Sequence, residues 1–175
     1  GLWLVPGEAG GDVRDRLSAM DRARLLNRMT ELAGGADALV VDAGPGLDGA
    51  LAAAAAGATR LALVAVPEPA ALSDAFAAIR RMSTQLPALP LSVSANRVAG
   101  EREGREVFER LDLASRRFLS RSLDYAGAVV ERAELTAATR RPGALLHVPV
   151  EDAGDMATRL AATTVPALVL PGSRA

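Results

Sequence analysis

Apolar residues along this chain follow two rhythms. Short runs at residues 3–5, 38–41, 61–66 and 91–95 read as strands. The runs at 38–41 and 61–66 lack the alternation of a half-exposed strand, so they predict strands covered on both faces of a parallel sheet, and 91–95 predicts a third, central one. Between the runs the spacing turns helical. Ser18 is placed as an N-cap with Asp21 three residues on, and Leu25, Leu26, Met29, Leu32 and Ala33 recur on one face until Gly34-Gly35 ends the pattern. The Ala-rich segment 47–58 predicts a closely packed helix, and Pro69 opens another that carries Leu72, Phe76 and Ile79. Residues 102–119 form a long amphipathic pattern with Val107, Leu111 and Phe118. A strand at 124–130, helices at 134–140 and 151–162, and an edge strand at 144–148 follow. Strands alternating with crossover helices, with no internal repeat and no linker, predict one α/β domain over residues 1–175, a mostly parallel sheet flanked by helices.

Composition removes several chemistries. Of 175 residues, 50% are hydrophobic and 23% charged, with a formal net charge of -1. That is the balance of a globular protein rather than of a disordered or strongly basic one. All 20 basic residues are Arg; Lys and Cys are absent and His147 is the single histidine. A Schiff-base Lys, a P-loop Lys, a Cys nucleophile and a Cys-ligated metal are therefore excluded within these residues. Near-neutral charge and 3% aromatic content disfavour a nucleic-acid-binding module. The first residues lack the basic flank and cleavage site of a signal peptide, and the uncharged stretch 160–173 contains Pro166 and Pro171, so no membrane segment is expected and the cytoplasm is the expected compartment.

Three strand exits carry the candidate chemistry, because ligands of open α/β sheets bind outside the carboxyl ends of strands. The first is Val41-Asp42-Ala43-Gly44-Pro45-Gly46. Asp42 reads either as the carboxylate that orients hydrated magnesium beside nucleotide phosphates, with Gly44 or Gly46 offering an N–H, or as a turn or cap residue. The second is Val66-Pro67-Glu68-Pro69 with Asp74 beyond it, either a carboxylate facing the same crevice or a Pro-bounded strand exit. The third is Ser94-Ala95-Asn96-Arg97, where Asn96 offers an acceptor and two donors to a purine edge, or closes an Asx turn. His147, in an apolar segment, and the pairs Arg80-Arg81, Arg116-Arg117 and Arg140-Arg141 read as structural or solvated positions.

Taken in order, these segments resemble one family. The run Gly1-Leu2-Trp3-Leu4-Val5-Pro6-Gly7, the Ser18 helix, Val40-Val41-Asp42-Ala43-Gly44-Pro45-Gly46 and Val66-Pro67-Glu68-Pro69 are similar to the MinD/ParA-type deviant-Walker P-loop ATPases. Asn96-Arg97-Val98, Glu103-Gly104, Val107-Phe108 and Leu123-Asp124-Tyr125-Ala126-Gly127 place the likeness nearest that family's flagellar-number regulator branch. The resemblance implies an ATP- or ADP-binding, Mg2+-dependent spatial switch that forms a homodimer around nucleotide. It implies Asp42 as the Walker B carboxylate that holds Mg2+ through water, Gly44 and Gly46 as the phosphate-sensing loop, and Asn96, with Arg97 beside it, at the adenine. Pro67 and Glu68 match the signature after the next strand. The implied partners are a signal-recognition-type flagellar GTPase and basal-body proteins or, on the MinD side, a cell-division inhibitor and the membrane.

Departures shape the expectation further. The family's Lys-containing phosphate loop lies upstream of the segments matched here, so the sequence reads as the C-terminal portion of such a domain without its P-loop strand and helix. Val130 stands where the family usually has Pro. Because phosphoryl transfer depends on positioning and charge stabilisation by that loop, the expectation is nucleotide-linked regulation without ATP hydrolysis by these residues alone. The alternative is a non-catalytic protein-interaction module of the same fold. A dinucleotide-binding enzyme is disfavoured, since no Gly-x-Gly-x-x-Gly follows the first strand.

Overall fold

The computed structural model describes residues 18, 20, 21, 24, 27, 28, 31, 34, 36, 38–42, 58–138 and 151–162. They fall in two units, Gly1–Gly57 and Ala58–Ala175. In the first unit residues 20, 21, 24, 27, 28 and 31 are helical. This helix opens at the expected cap: Ser18 Oγ accepts from the Asp21 N–H at 3.1 Å, and the Asp21 carboxylate accepts from the Ser18 N–H at 3.3 Å. The two groups satisfy each other's orphan donors.

Residues 38–42 correct the sequence reading. They form no strand, and Val40 is 90% exposed. Apolar composition makes a run suited to a covered strand, but the strand state needs a neighbouring backbone to complete its ladder, and 38–42 are not part of the sheet described below. The strands expected at 3–5 and 144–148 lie outside the described residues, as does the helix expected at 47–58 except for Ala58, which is not helical.

The second unit runs β1 (Leu61–Ala65), α1 (Pro69–Gln85), β2 (Leu91–Val98), α2 (Glu101–Leu119), β3 (Asp124–Val130), α3 (Ala133–Ala138) and α4 (Glu151–Ala162). The strands are parallel in the order β1-β2-β3, so β2 has a hydrogen-bonded neighbour on each side. Crossovers in parallel sheets are right-handed, which sends α1 and α2 to one face, where they pack against each other. Pro69 fits the first turn of α1, where its fixed φ is helical and its missing N–H costs nothing. From there Ala75, Ile79 and Met82 turn inward. On α2 the buried stripe is Gly104, Val107, Leu111 and Ser115. Ser120 ends α2 in the left-handed region at φ 53°, its N–H reaching the Ser115 carbonyl. Arg121 then donates to Ser83 Oγ and to the Leu86 and Leu89 carbonyls, tying the turn after α1 to the end of α2.

Register decides the faces. The pairs Leu61↔Leu91, Leu63↔Val93 and Ala65↔Ala95 align on one face, which receives α1 and α2. Here Gly104 is required: a Cβ on it would stand 2.4 Å from Ala128 Cβ and 3.1 Å from the Tyr125 hydroxyl. Only a bare backbone lets α2 lie so close to β2 and β3. The preceding residue of β3, Gly127, adopts φ +131° and faces Met156 of α4, so α4 covers the opposite face of β3. Arg60 joins the strand starts, donating to Ser92 Oγ at 2.5 Å and to Asp124 Oδ2 at 2.7 Å.

The run at 61–66 also differs from expectation. On β1 only Leu61 and Ala65 are buried, whereas Ala62 is exposed and Val64 is 60% exposed. Among the described residues, helices cover both faces of β3 but one face of β1. β2 is the fully central strand, with Val93 and Ala95 wholly buried and Ser92 and Ser94 nearly so.

Candidate functional site

The carboxyl ends of the three strands meet at one edge of the second unit. Pro67 and Glu68 form the bend from β1 into α1. Glu68 is the N-cap of α1 by its backbone, φ -83° and ψ 135°, and its carbonyl accepts from the Leu72 N–H at 2.9 Å. Its side chain makes no cap hydrogen bond. The carboxylate turns instead to β2, where it lies 3.7 Å from a terminal nitrogen of Arg97.

β2 is irregular at this point. Asn96 pairs with Val129 and Val98 with Val130, so Arg97 is the extra residue of a bulge. Arg97 has φ 58°, a region that side-chain-bearing residues avoid by about 1–2 kcal/mol. Three contacts hold it there. Asn96 Oδ1 accepts from the Arg97 N–H at 2.9 Å, Glu131 Oε1 accepts from Arg97 Nε at 3.1 Å, and Glu68 completes the pairing from the other side. The Glu131 N–H in turn donates to the Val98 carbonyl at 2.8 Å. One guanidinium therefore bridges the exits of β1, β2 and β3. Both ion pairs are solvent-exposed, which limits each to under about 1 kcal/mol and makes their effect one of position.

The bulge settles how Asn96 is oriented. A backbone N–H can be accepted only by the amide oxygen, so Oδ1 points back at the chain and the NH2 group remains as the donor. This is not an Asx turn, in which the bond would reach two residues on rather than one. Just past the bulge, Glu103 in the first turn of α2 accepts from the Ala99 N–H at 2.6 Å, pinning the loop that leads from β2 to α2.

Beside this edge, α4 is anchored by Asp152, whose Oδ2 accepts from the Val130 N–H at 3.2 Å and from Arg132 at 2.8 Å. A shallow recess lies between Glu101, Gly127 and the first turns of α4. Tyr125 lines up next to it, with the Arg105 and Arg159 guanidinium carbons 5.0 and 5.7 Å from its ring centroid. Burial of the hydroxyl, and then the Glu101 carboxylate, push Tyr125 up to about 12.

Of the sequence candidates, Pro67, Glu68, Asn96 and Arg97 come together at this edge. Asp42 is exposed and belongs to the first unit; Gly44 and Gly46 lie outside the described residues. Sequence reasoning missed Glu131. Its signal was available, a carboxylate directly after a strand, as Glu68 is after β1.

No family model matches the chain. Over 173 residues, 99% of this chain, it is 26% identical to the antiactivator FleN of Pseudomonas aeruginosa, of which it covers 62%. Over 133 residues, 74% of this chain, it is 33% identical to the flagellum site-determining protein YlxH of Helicobacter pylori, of which it covers 44%. The chain is thus similar to an antiactivator and to a flagellum site-determining protein. Its parallel sheet with flanking helices is in keeping with the α/β fold of MinD-like proteins. It spans under two thirds of the length of the FleN and YlxH proteins it matches. Among the described residues no helix is long and apolar enough to cross a membrane.

Proposed function

We propose that this relative of the flagellar regulators acts as a nucleotide-responsive regulator of flagellar number or placement. In this reading it binds ATP or ADP with Mg2+ and does not hydrolyse ATP by these residues alone. The observation that supports it is the bulge at the end of β2. Backbone strain held in place by several contacts, at the edge where α/β sheets receive ligands, is characteristic of a functional site. The residues fit a purine: the NH2 of Asn96 is a donor suited to a ring nitrogen, and Arg97, Glu68 and Glu131 fix the loop that carries it. Asp42, with Gly44 and Gly46, would hold hydrated Mg2+ and sense the terminal phosphate, and Pro67 shapes the turn that carries Glu68. Residues 1–175 act as one domain in this reading. Its regulatory output follows from a nucleotide-dependent homodimer and from a signal-recognition-type GTPase or basal-body partner. The relatives' names, an antiactivator and a site-determining protein, fit such a switch.

The test is thermal unfolding with and without Mg-ADP, together with a phosphate-release assay. Mg-ADP is expected to raise the melting temperature of the wild type and not that of Asn96→Ala, since a ligand that binds only the folded state stabilises it. Phosphate release above the uncatalysed rate, abolished by Asp42→Ala, would overturn the non-hydrolysing part of the reading. The second reading, a non-catalytic interaction module, draws on a separate observation: two large apolar side chains, Leu113 and Phe118, stand exposed on α2.

A further inference from the structure

Arg97 sits where a conformational cost and the contacts that offset it are of the same size. A side-chain-bearing residue at φ 58° is disfavoured by roughly tenfold in population against its ordinary conformations. On the other side stand two ion pairs, Nε to Glu131 Oε1 at 3.1 Å and a terminal nitrogen to Glu68 Oε1 at 3.7 Å. The three side chains are between 46% and 63% exposed, and an exposed pair shifts a population by no more than about fivefold. Neither side dominates. Among the described residues neither carboxylate pairs with another cation, so both depend on the one guanidinium.

We propose that Glu68, Arg97 and Glu131 form an electrostatic latch on the end of β2, with Glu131 as the positioning residue that sets its balance. Closed, the latch holds the bulge, the Arg97 N–H on Asn96 Oδ1 and the Glu131 N–H on the Val98 carbonyl. Open, residue 97 leaves the left-handed region, and both hydrogen bonds are lost as the strand frays beyond Asn96. Glu131 takes the larger part because its contact is the shorter one and falls on Nε, which is closer to the backbone than the terminal nitrogens. Charge works the latch: dissolved salt screens both pairs, and a carboxylate or phosphate brought to this edge competes for the same guanidinium. Its bearing on nucleotide rests on the reading of Asn96 given above, whereas the latch itself does not. A surface pair with a purely structural role would add a little to overall stability and leave the end of β2 no more sensitive to salt than its middle.

The test is amide hydrogen exchange of the whole chain between about 0.01 M and about 1 M sodium chloride, across which the screening length falls from about 30 Å to about 3 Å. Protection at the Arg97 and Glu131 amides is expected to fall about threefold or more with salt, while Val93, buried in the middle of β2, keeps its protection. Glu131→Gln should show the loosened pattern already at low salt. Arg97→Gly removes the latch and the φ cost together, so the same two amides should stay protected and lose their dependence on salt. Three results would overturn the proposal. Val93 could lose protection in step with Arg97, Glu131→Gln could match the wild type at low salt, or Arg97→Gly could respond to salt as steeply as the wild type. Added Mg-ADP separates the two readings, since salt-dependent protection with no response to Mg-ADP supports the latch and removes the nucleotide.

Discussion

Two runs in this chain differ less in composition than in outcome. Ala38-Leu39-Val40-Val41 is entirely apolar, yet all four residues are exposed and none is in a strand. Leu91-Ser92-Val93-Ser94-Ala95 contains two serines, yet every residue is buried, Val93 completely. The more polar run is the one that forms the centre of the sheet. What separates them is the supply of partners: β2 has a parallel neighbour on each side, and α2 packs over it. Arg60 also supplies a donor for the Ser92 hydroxyl, so burying that serine leaves it hydrogen-bonded. Apolar sequence thus records what a strand can tolerate, while the ladder and its covering helices determine whether it forms.

The comparison breaks most readily at Val93. Val93→Ser should cost about 2–4 kcal/mol, from lost packing and an added buried hydroxyl, whereas Val40→Ser should change stability by under about 0.5 kcal/mol. Denaturant titration of both variants checks this, and equal costs would undo the contrast. Next in size is Gly104→Ala. Its methyl would meet Ala128 Cβ at 2.4 Å, so α2 must shift, at about 1–3 kcal/mol in the same titration.

The cover over β3 can be probed by pH. Tyr125 titrates at about 12 in the folded chain against an ordinary 10.0. A raised folded value means that the folded state keeps the proton more tightly, so this stabilisation is complete below the unfolded value and fades as pH rises through the folded one. Stability should therefore fall between about pH 10 and pH 12 in the wild type and fall less in Tyr125→Phe, as read from urea midpoints at each pH. The smallest effect lies far from the contrast, at Ser120. Ser120→Gly relieves the positive φ and should stabilise by up to about 1 kcal/mol, visible as a raised melting temperature.

Much of the second unit was legible because its elements announce their ends. The strand expected at 124–130 and the helix expected at 151–162 fall on β3 and α4. Pro69 marked the start of α1, where its ring fits only the first turn. β2 runs three residues beyond its expected end at Ala95, because pairing with β3 carries it past the Arg97 bulge to Val98, and no hydrophobic pattern encodes that pairing. The same cause divides the candidate site. Glu68 and Asn96 could be picked out as polar residues at strand exits, but the clasp of Glu68, Arg97 and Glu131 joins residues from three exits and exists only once register is set. Asn96 was read as free to use its whole amide edge, and the bulge commits its oxygen to the Arg97 N–H.

The central claim is that the strained end of β2 presents Asn96 to a nucleotide, and amide hydrogen exchange of the whole chain with and without Mg-ATP tests it most directly. The account predicts slower exchange at Arg97, Val98 and Ala99 when nucleotide is added, with the outward face of α1 and α2 unchanged. Identical exchange at those three amides under saturating Mg-ATP would contradict it.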